Sequence, residues 1–466
     1  MDFDGGIFST RFGTGLPRTS SEARTPDEML SALGAADAIA QSYPVANFDY
    51  VRNRFEERAA YAELLKVNEP DLTQEEIGRK VRRTYAFQSD TSAFKAHMAR
   101  WVETNDPLRE RLMLFWADHF TVRGNNRYAG TEPFYLEEAI RPNLTGRFED
   151  ILLACVTHPI MVRYLDQHRS KSPLSEAGRR GGGGLNENLA REVLELHSLG
   201  VDGPYTQDDV RALAQLLAGL TVDRQETTQY SLRRAHPRPI HFLGRDYGSG
   251  WIKILGRDYG SGKPDFEELL AALRNLANHP ATARHMARKL AVHFVSDDPS
   301  NALVAAIEAR WRDSGGQLMD VYAALLTHPE AANAKRAKVK QPFELIATSF
   351  KALGVRGQEI MDFPDKEISR LQKWMTRLGQ SWLRPQGPDG FPEEIAAWIT
   401  PIGLSLRFHF MLKFLRAYEN RVEPRDLLER GLGPLASREL RFAIGAAESR
   451  VEALALVLLS PEFQRK

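Results

Sequence analysis

The chain has 466 residues, 42% of them hydrophobic and 26% charged, the balance of a soluble globular protein able to bury a sizeable core. Lys plus Arg (62) almost cancels Asp plus Glu (61), so no overall field draws nucleic acid or an acidic membrane surface. The single cysteine, Cys155, excludes an intramolecular disulfide and a zinc site built on several thiolates; in the apolar run 151–156 it reads as a small buried hydrophobe.

Residues 1–16 carry acidic side chains near their start and no apolar h-region, so they do not read as a secretory signal. No apolar run approaches the roughly 20 residues that a membrane span needs. By sequence the expected compartment is the cytoplasm, with export through a partner as the other route. Further along, apolar residues recur at three- and four-residue spacing. The pattern predicts helices over 107–120, 148–156, 186–199, 207–220, 266–277, 281–294, 302–311, 317–326 and 404–417. Strand patterns are confined to 229–232, 239–243 and 251–255. Thr206 with Asp209 predicts a capping box, and Asp265 and Ser300 predict N-caps. Glycine, proline and polar runs mark 17–26, 170–184, 356–366 and 384–392 as open segments. The third reads as a hinge.

The expected fold is therefore mainly α: a bundle-like, multi-helix body built from helical hairpins, with a small β-hairpin insertion near 221–262. A main helical domain is expected over 1–355 and a C-terminal helical part over 356–466.

One phrase recurs four times: an apolar helix end, a polar residue, then proline. It ends in Thr157-His158-Pro159, Asn278-His279-Pro280, Thr327-His328-Pro329 and Ser460-Pro461. Proline is at home in the first helical turn and cannot extend the preceding one. A second repeat is strict: Leu-Gly-Arg-Asp-Tyr-Gly-Ser-Gly at 243–250 returns at 255–262. Its glycines and aspartate are turn formers, and a loop duplication costs little.

The segment 186–200 is the densest in polar groups. Ideal helical geometry puts Leu189, Val193, Leu196 and Gly200 on one buried face. Glu192 falls on one shoulder of that face, Asn186 and His197 on the other. A carboxylate beside a packed face is partly desolvated, so Glu192 is the candidate acid or base. His119, from Trp116-Ala117-Asp118-His119-Phe120, is the candidate general base facing it. Candidate catalytic residues are thus Glu192, His119 and His197. Asn186, Asn188, Arg191, Glu195 and Asp118 are candidate binding residues. Glu187, Arg191 and Glu195 are also spaced for surface ion pairs. No His-Glu-x-x-His occurs, and Glu192-x-x-Glu195 places His197 off the line of a helical metal pair. No metal and no cofactor is expected. The basic clusters 179–180, 233–234 and 335–340 read as solvated surface.

Ordered matches run through the whole chain: Arg11-Phe12-Gly13, then 109–122, Ile140-Arg141-Pro142, Tyr164-Leu165-Asp166, 186–200, 205–210 and 279–283. Lys338, Lys340, Pro342, Leu378-Gly379-Gln380 and Ser460-Pro461-Glu462-Phe463 complete them. On these residues the chain resembles the bacterial family catalogued as domain of unknown function 1800. The doubled loop at 243–262 departs from that family's single Leu-Gly-x-x-Tyr-Gly pattern. The resemblance implies a mostly helical fold and carries no established activity, cofactor or catalytic residue. It also implies an envelope context and an exported, sulfatase-like protein as partner. The expected function is a helical binding or assembly protein acting with such a partner in an envelope-related pathway. The alternative is a hydrolase-like enzyme working through Glu192, His119 and His197.

Overall fold

The computed structural model describes residues 5–17, 25–85, 89–124, 128–182, 184–223, 225–235, 252–254, 256–259, 266–333 and 335–466. The fold is mainly α-helical. The described strands are β1 (Leu220–Val222), β2 (Thr228–Tyr230), β3 (Ile252–Ile254) and β4 (Arg257–Tyr259). They form two antiparallel pairs, β1 with β2 and β3 with β4. In the first, Thr221 lies opposite Gln229; in the second, Lys253 lies opposite Asp258. The strand expected at 239–243, and the first copy of the duplicated loop, lie outside the described residues. The second copy contributes β4, and Gly256 takes the left-handed φ of 75° before it, a value glycine adopts without a Cβ clash. No described helix is long and apolar enough to cross a membrane.

Helix limits follow local chemistry. Thr206 accepts from the Asp209 amide while Asp209 accepts from the Thr206 amide, and Ser300 caps Leu303. In each copy of the recurring phrase, the residue before proline caps the helix that proline begins. The Nδ1 atoms of His158, His279 and His328 accept from Ile160 (3.2 Å), Ala281 (3.1 Å) and Glu330 (3.3 Å). Ser460 Oγ does the same for Phe463. An accepting Nδ1 must be unprotonated, and burial, with Arg52 nearby, pushes the His158 ring down to about 3. These histidines are structural caps.

The chain packs into two compact units, both discontinuous in sequence. One comprises Met1–Val45, Thr91–Asp118 and Ala287–Lys466; the other comprises Ala46–Asp90 and His119–Met286. Residues 356–466 lie in the same unit as 287–355. Residues 356–366 hold the helix Gly357–Met361, whose first amide is accepted by Glu103, where the sequence reads as a hinge. Glu359 closes a capping box on Arg356 and pairs with Arg421, which holds the same segment.

The first unit is built on the helix Pro342–Ala352, in which every residue is buried. Phe343 stacks on Trp382 (centroids 4.8 Å) and meets Trp101 edge-on. Such offset and edge contacts add to the stabilisation that area burial alone supplies. Residues 338–340 and 464–466 pair as a short antiparallel ribbon: Lys466 N donates to Lys338 O and Lys340 N to Gln464 O. Arg11, 1% exposed, donates to the carbonyls of Glu330, Ala331, Asn333 and Lys335. One guanidinium thereby ties together the described carbonyls of this loop.

In the second unit, the helices Phe48–Asn68 and Gln74–Thr84 pair, as do Phe148–Val156 and Phe266–Ala277. Leu152, Leu213, Leu217, Leu273 and Leu276 are among the buried residues. Gly200, at φ 91°, ends its helix against His285; a Cβ there would meet the ring Nδ1 at 2.9 Å.

Replacing Arg11 by Met leaves four carbonyls without their donor. The expected loss of stability is about 3 kcal/mol, read from urea unfolding of the full chain; an unchanged transition contradicts the role given to Arg11.

Candidate functional site

The segment 186–200 folds differently from an ideal helix. Asn188–Glu192 is α-helical, and Val193–His197 is a π-helical turn. Ser198 Oγ donates to Val193 O (2.5 Å) and Leu199 N to Leu194 O (3.0 Å). The wider turn takes in an extra residue. It carries His197 to 1% exposure and leaves Leu196 half-buried, where a uniform helical register buries Leu196. Asn186 sits ahead of the helix: its Nδ2 donates to Leu165 O (3.0 Å), and its Oδ1 accepts from the Asn188 amide (2.9 Å). Asn188 is exposed. Arg191 bonds Glu195 (3.1 Å), approaches Glu187 (3.6 Å) and reaches Gln207 (3.0 Å). These groups form a half-exposed ion network of the kind that contributes a few tenths of a kcal/mol per pair.

His119 and His197 do meet. Their ring centroids are 6.0 Å apart, and His119 Nε2 lies 3.4 Å from His197 O. Both are buried, with Phe120 5.3 Å from the His197 ring and Phe148 6.3 Å from that of His119. Glu192 is partly buried at the start of the π turn. Among the described residues, no group of three or more His, Cys, Asp or Glu side chains is placed to hold a metal.

Asp118 belongs to a different site, in the first unit. It lines an open pocket of about 40 Å³ with His293, Gln341, Glu344, Gln380 and Phe391. Apolar walls come from Leu114, Phe343, Trp382 and Leu383. Asp118 Oδ1 accepts from the Phe391 amide at 2.8 Å. Gly390, at φ 87°, makes that approach possible: a Cβ there would lie 2.5 Å from Asp118 Oδ2. Beside it, His293 Nδ1 and Glu393 Oε1 are 2.7 Å apart. The His293 ring packs edge-on against Phe115 and Phe294. Glu393 in turn lies 3.8 Å from Lys338 Nζ, which also bonds Asp297 (2.6 Å) and donates to the Glu393 carbonyl.

Burial and charge separate the ionisations of this pocket. Burial raises the Asp118 carboxyl to about 7, and the Glu393 charge adds to the rise; the Phe391 amide and Lys289 oppose it. Burial acts to raise Glu393 as well, yet His293, Lys338 and Lys466 hold it below the usual carboxylate range. Burial drives the His293 ring down against the pull of Glu393, so the ring is neutral at pH 7. Glu393 engages Nδ1.

Behind the pocket stands a buried charge node. Glu344, 4% exposed, caps its own helix through the Gln341 amide (2.8 Å). Its carboxylate also pairs with Arg111 and, through both oxygens, with Lys466. Lys340 donates to the carbonyls of Phe463 and Arg465, and Arg407 donates to Gln464 Oε1 and Lys340 O. The basic run 335–340 is thus not solvated throughout: Lys338 and Lys340 are 3% and 1% exposed. Their alternation on the 338–340 strand turns both inward, onto carbonyls and carboxylates that no local pattern reveals. His293, Glu393 and Glu344 were likewise missed in the sequence. His293 lies on a helix with no polar cluster, and its partner is 100 residues away.

Two outcomes follow. Glu344→Gln removes the carboxylate that Arg111 and Lys466 pair with in the interior, and the expected cost is about 3–5 kcal/mol, read by urea unfolding. Asp118→Asn should act in the opposite sense above neutrality. The folded carboxyl holds its proton more tightly than the unfolded one, whose value is near 3.8. Wild-type stability is therefore lost as pH rises towards 7. The variant should be the more stable by about 2 kcal/mol at pH 8 and equal to wild type at pH 3.5; a gap independent of pH contradicts the assignment.

The family described as "Protein of unknown function (DUF1800)" matches residues 10–465. No curated protein and no solved structure matches the chain. The chain belongs to this DUF1800 family, and the match covers nearly all of it.

Proposed function

We propose that the protein is an acid–base catalyst of the hydrolase type, working through Asp118, His293 and Glu393. The chemistry expected at Glu192, His119 and His197 is here assigned to the open pocket, because His119 and His197 are sealed among aromatic rings while Asp118 and Glu393 are partly exposed. The observation that carries the reading is geometric: Asp118, held by the Phe391 amide, and His293, bonded through Nδ1 to Glu393, line one pocket, and burial raises the first carboxyl while His293 and Lys338 hold the second ionised. Opposed environments of this kind assign the acid and the base. Protonated Asp118 is the acid. His293, its ring fixed by Glu393, accepts a proton at Nε2 and activates water. Trp382 and Leu383 limit solvent around the reacting group.

The test is a screen of ester, amide and glycoside substrates with purified protein. Any turnover found should fall about 10²–10⁴-fold in Asp118→Asn and in His293→Gln, with circular dichroism unchanged. It should also decline above about pH 7 as Asp118 loses its proton. Full activity in either folded variant removes the reading.

A second reading keeps the binding or assembly role in an envelope-related pathway. It is supported by Leu404, Phe408 and Leu412, all exposed at four-residue spacing on the helix Pro401–Leu415, an apolar stripe of the kind that docks a partner. The exported sulfatase-like family is the first partner to try. Phe408→Glu should abolish its co-purification; retention by the variant argues against the stripe.

A further inference from the structure

The second unit contains a larger cleft, unrelated to the acid–base pocket. It lies between the paired helices Phe48–Asn68 and Gln74–Thr84 and residues Arg163, Val222, Asp223 and Glu226, and holds about 580 Å³. That is the size of a small-molecule site. Phe55 and Val222 are buried in its apolar wall, and Val81 is partly so. Its charged groups are Arg58, Arg82, Arg163, Asp223 and Glu226.

These charges are not equivalent. Glu226 is 1% exposed and stands at φ 57°, a left-handed conformation unusual for a side chain of its size. Its carboxylate accepts from Tyr128 OH (2.8 Å) and from Arg163 Nε and NH2 (3.3 Å each). Arg163 and Glu226 therefore neutralise each other and form a wall. Asp223 spends Oδ1 on the Thr227 amide. Arg58 is anchored by Nε on Tyr85 O (3.0 Å) and stacks over Phe55 (5.2 Å). Arg82 folds back over Gly78: its NH1 lies 3.4 Å from where a Cβ would stand. Among the described lining residues the charges sum to one net positive over an apolar floor.

We infer that this cleft binds a small organic anion with a single negative charge and an apolar body. The apolar wall takes the body, and Arg58 and Arg82 take the anionic head. A polyphosphate is a poor fit, because Asp223 and Glu226 repel it and no glycine-rich loop is found among the described lining residues.

The experiment is calorimetric titration of the full chain with dodecanoate below its micellar concentration, with dodecanol as the neutral control. Saturable binding near one equivalent is expected, weaker for dodecanol. Arg58→Ala and Arg82→Ala should each weaken dodecanoate about tenfold. Gly78→Leu fills the cleft, improves helix propensity and displaces only the tip of Arg82; it should abolish binding. Ala59→Phe fills the same space from the other helix and serves if the first variant does not fold. Absence of saturable dodecanoate binding to wild type overturns the inference. So does wild-type affinity in a folded cleft-filling variant.

Discussion

The first unit depends on the buried carboxylate of Glu344. It caps the fully buried helix Pro342–Ala352 and faces Arg111 and Lys466. Both cations share this carboxylate and the charge of Glu393 in a low-dielectric interior, where each ion costs several kcal/mol to desolvate. The other buried cations of the unit are met by backbone carbonyls. Lys338, Lys340, Arg407 and Arg11 all end on main-chain oxygens. A buried network of this kind specifies one arrangement, because a half-satisfied alternative strands a charge.

The same burial gives the pocket its chemistry. Asp118, His293 and Glu393 share an environment in which desolvation is the largest influence on each group. What separates them is local. Glu393 has His293 and Lys338 beside it and stays ionised; at Asp118 burial and the Glu393 charge outweigh the Phe391 amide and Lys289, and the carboxyl keeps its proton to near neutrality. Stability and ionisation are coupled here, since Lys338 and Lys466, buried in the fold, also hold the charge of Glu393.

Much of the architecture was legible in the chain. The spacing of apolar residues located the helices Phe148–Val156 and Phe266–Ala277 to the residue, because both lie in plain amphipathic runs with clear ends. The His-Pro boundaries were legible as helix starts, and the ring nitrogen as the capping acceptor adds the mechanism. The π turn at Val193–His197 was not legible, since periodicity assumes a uniform rise and the Ser198 bond that closes the turn leaves no pattern. Of the candidate site, Asp118 was named from the sequence only as a binding residue, through its neighbours. His293 and Glu393 were not, because their pairing is made by tertiary packing alone.

The most direct test of this account is a carboxyl carbon-13 titration of aspartate-labelled protein, with the Asp118 signal assigned by its loss in Asp118→Asn. The account predicts a midpoint near 7 that moves down when Glu393→Gln removes the neighbouring charge. A midpoint near 4, unchanged in that variant, would contradict it.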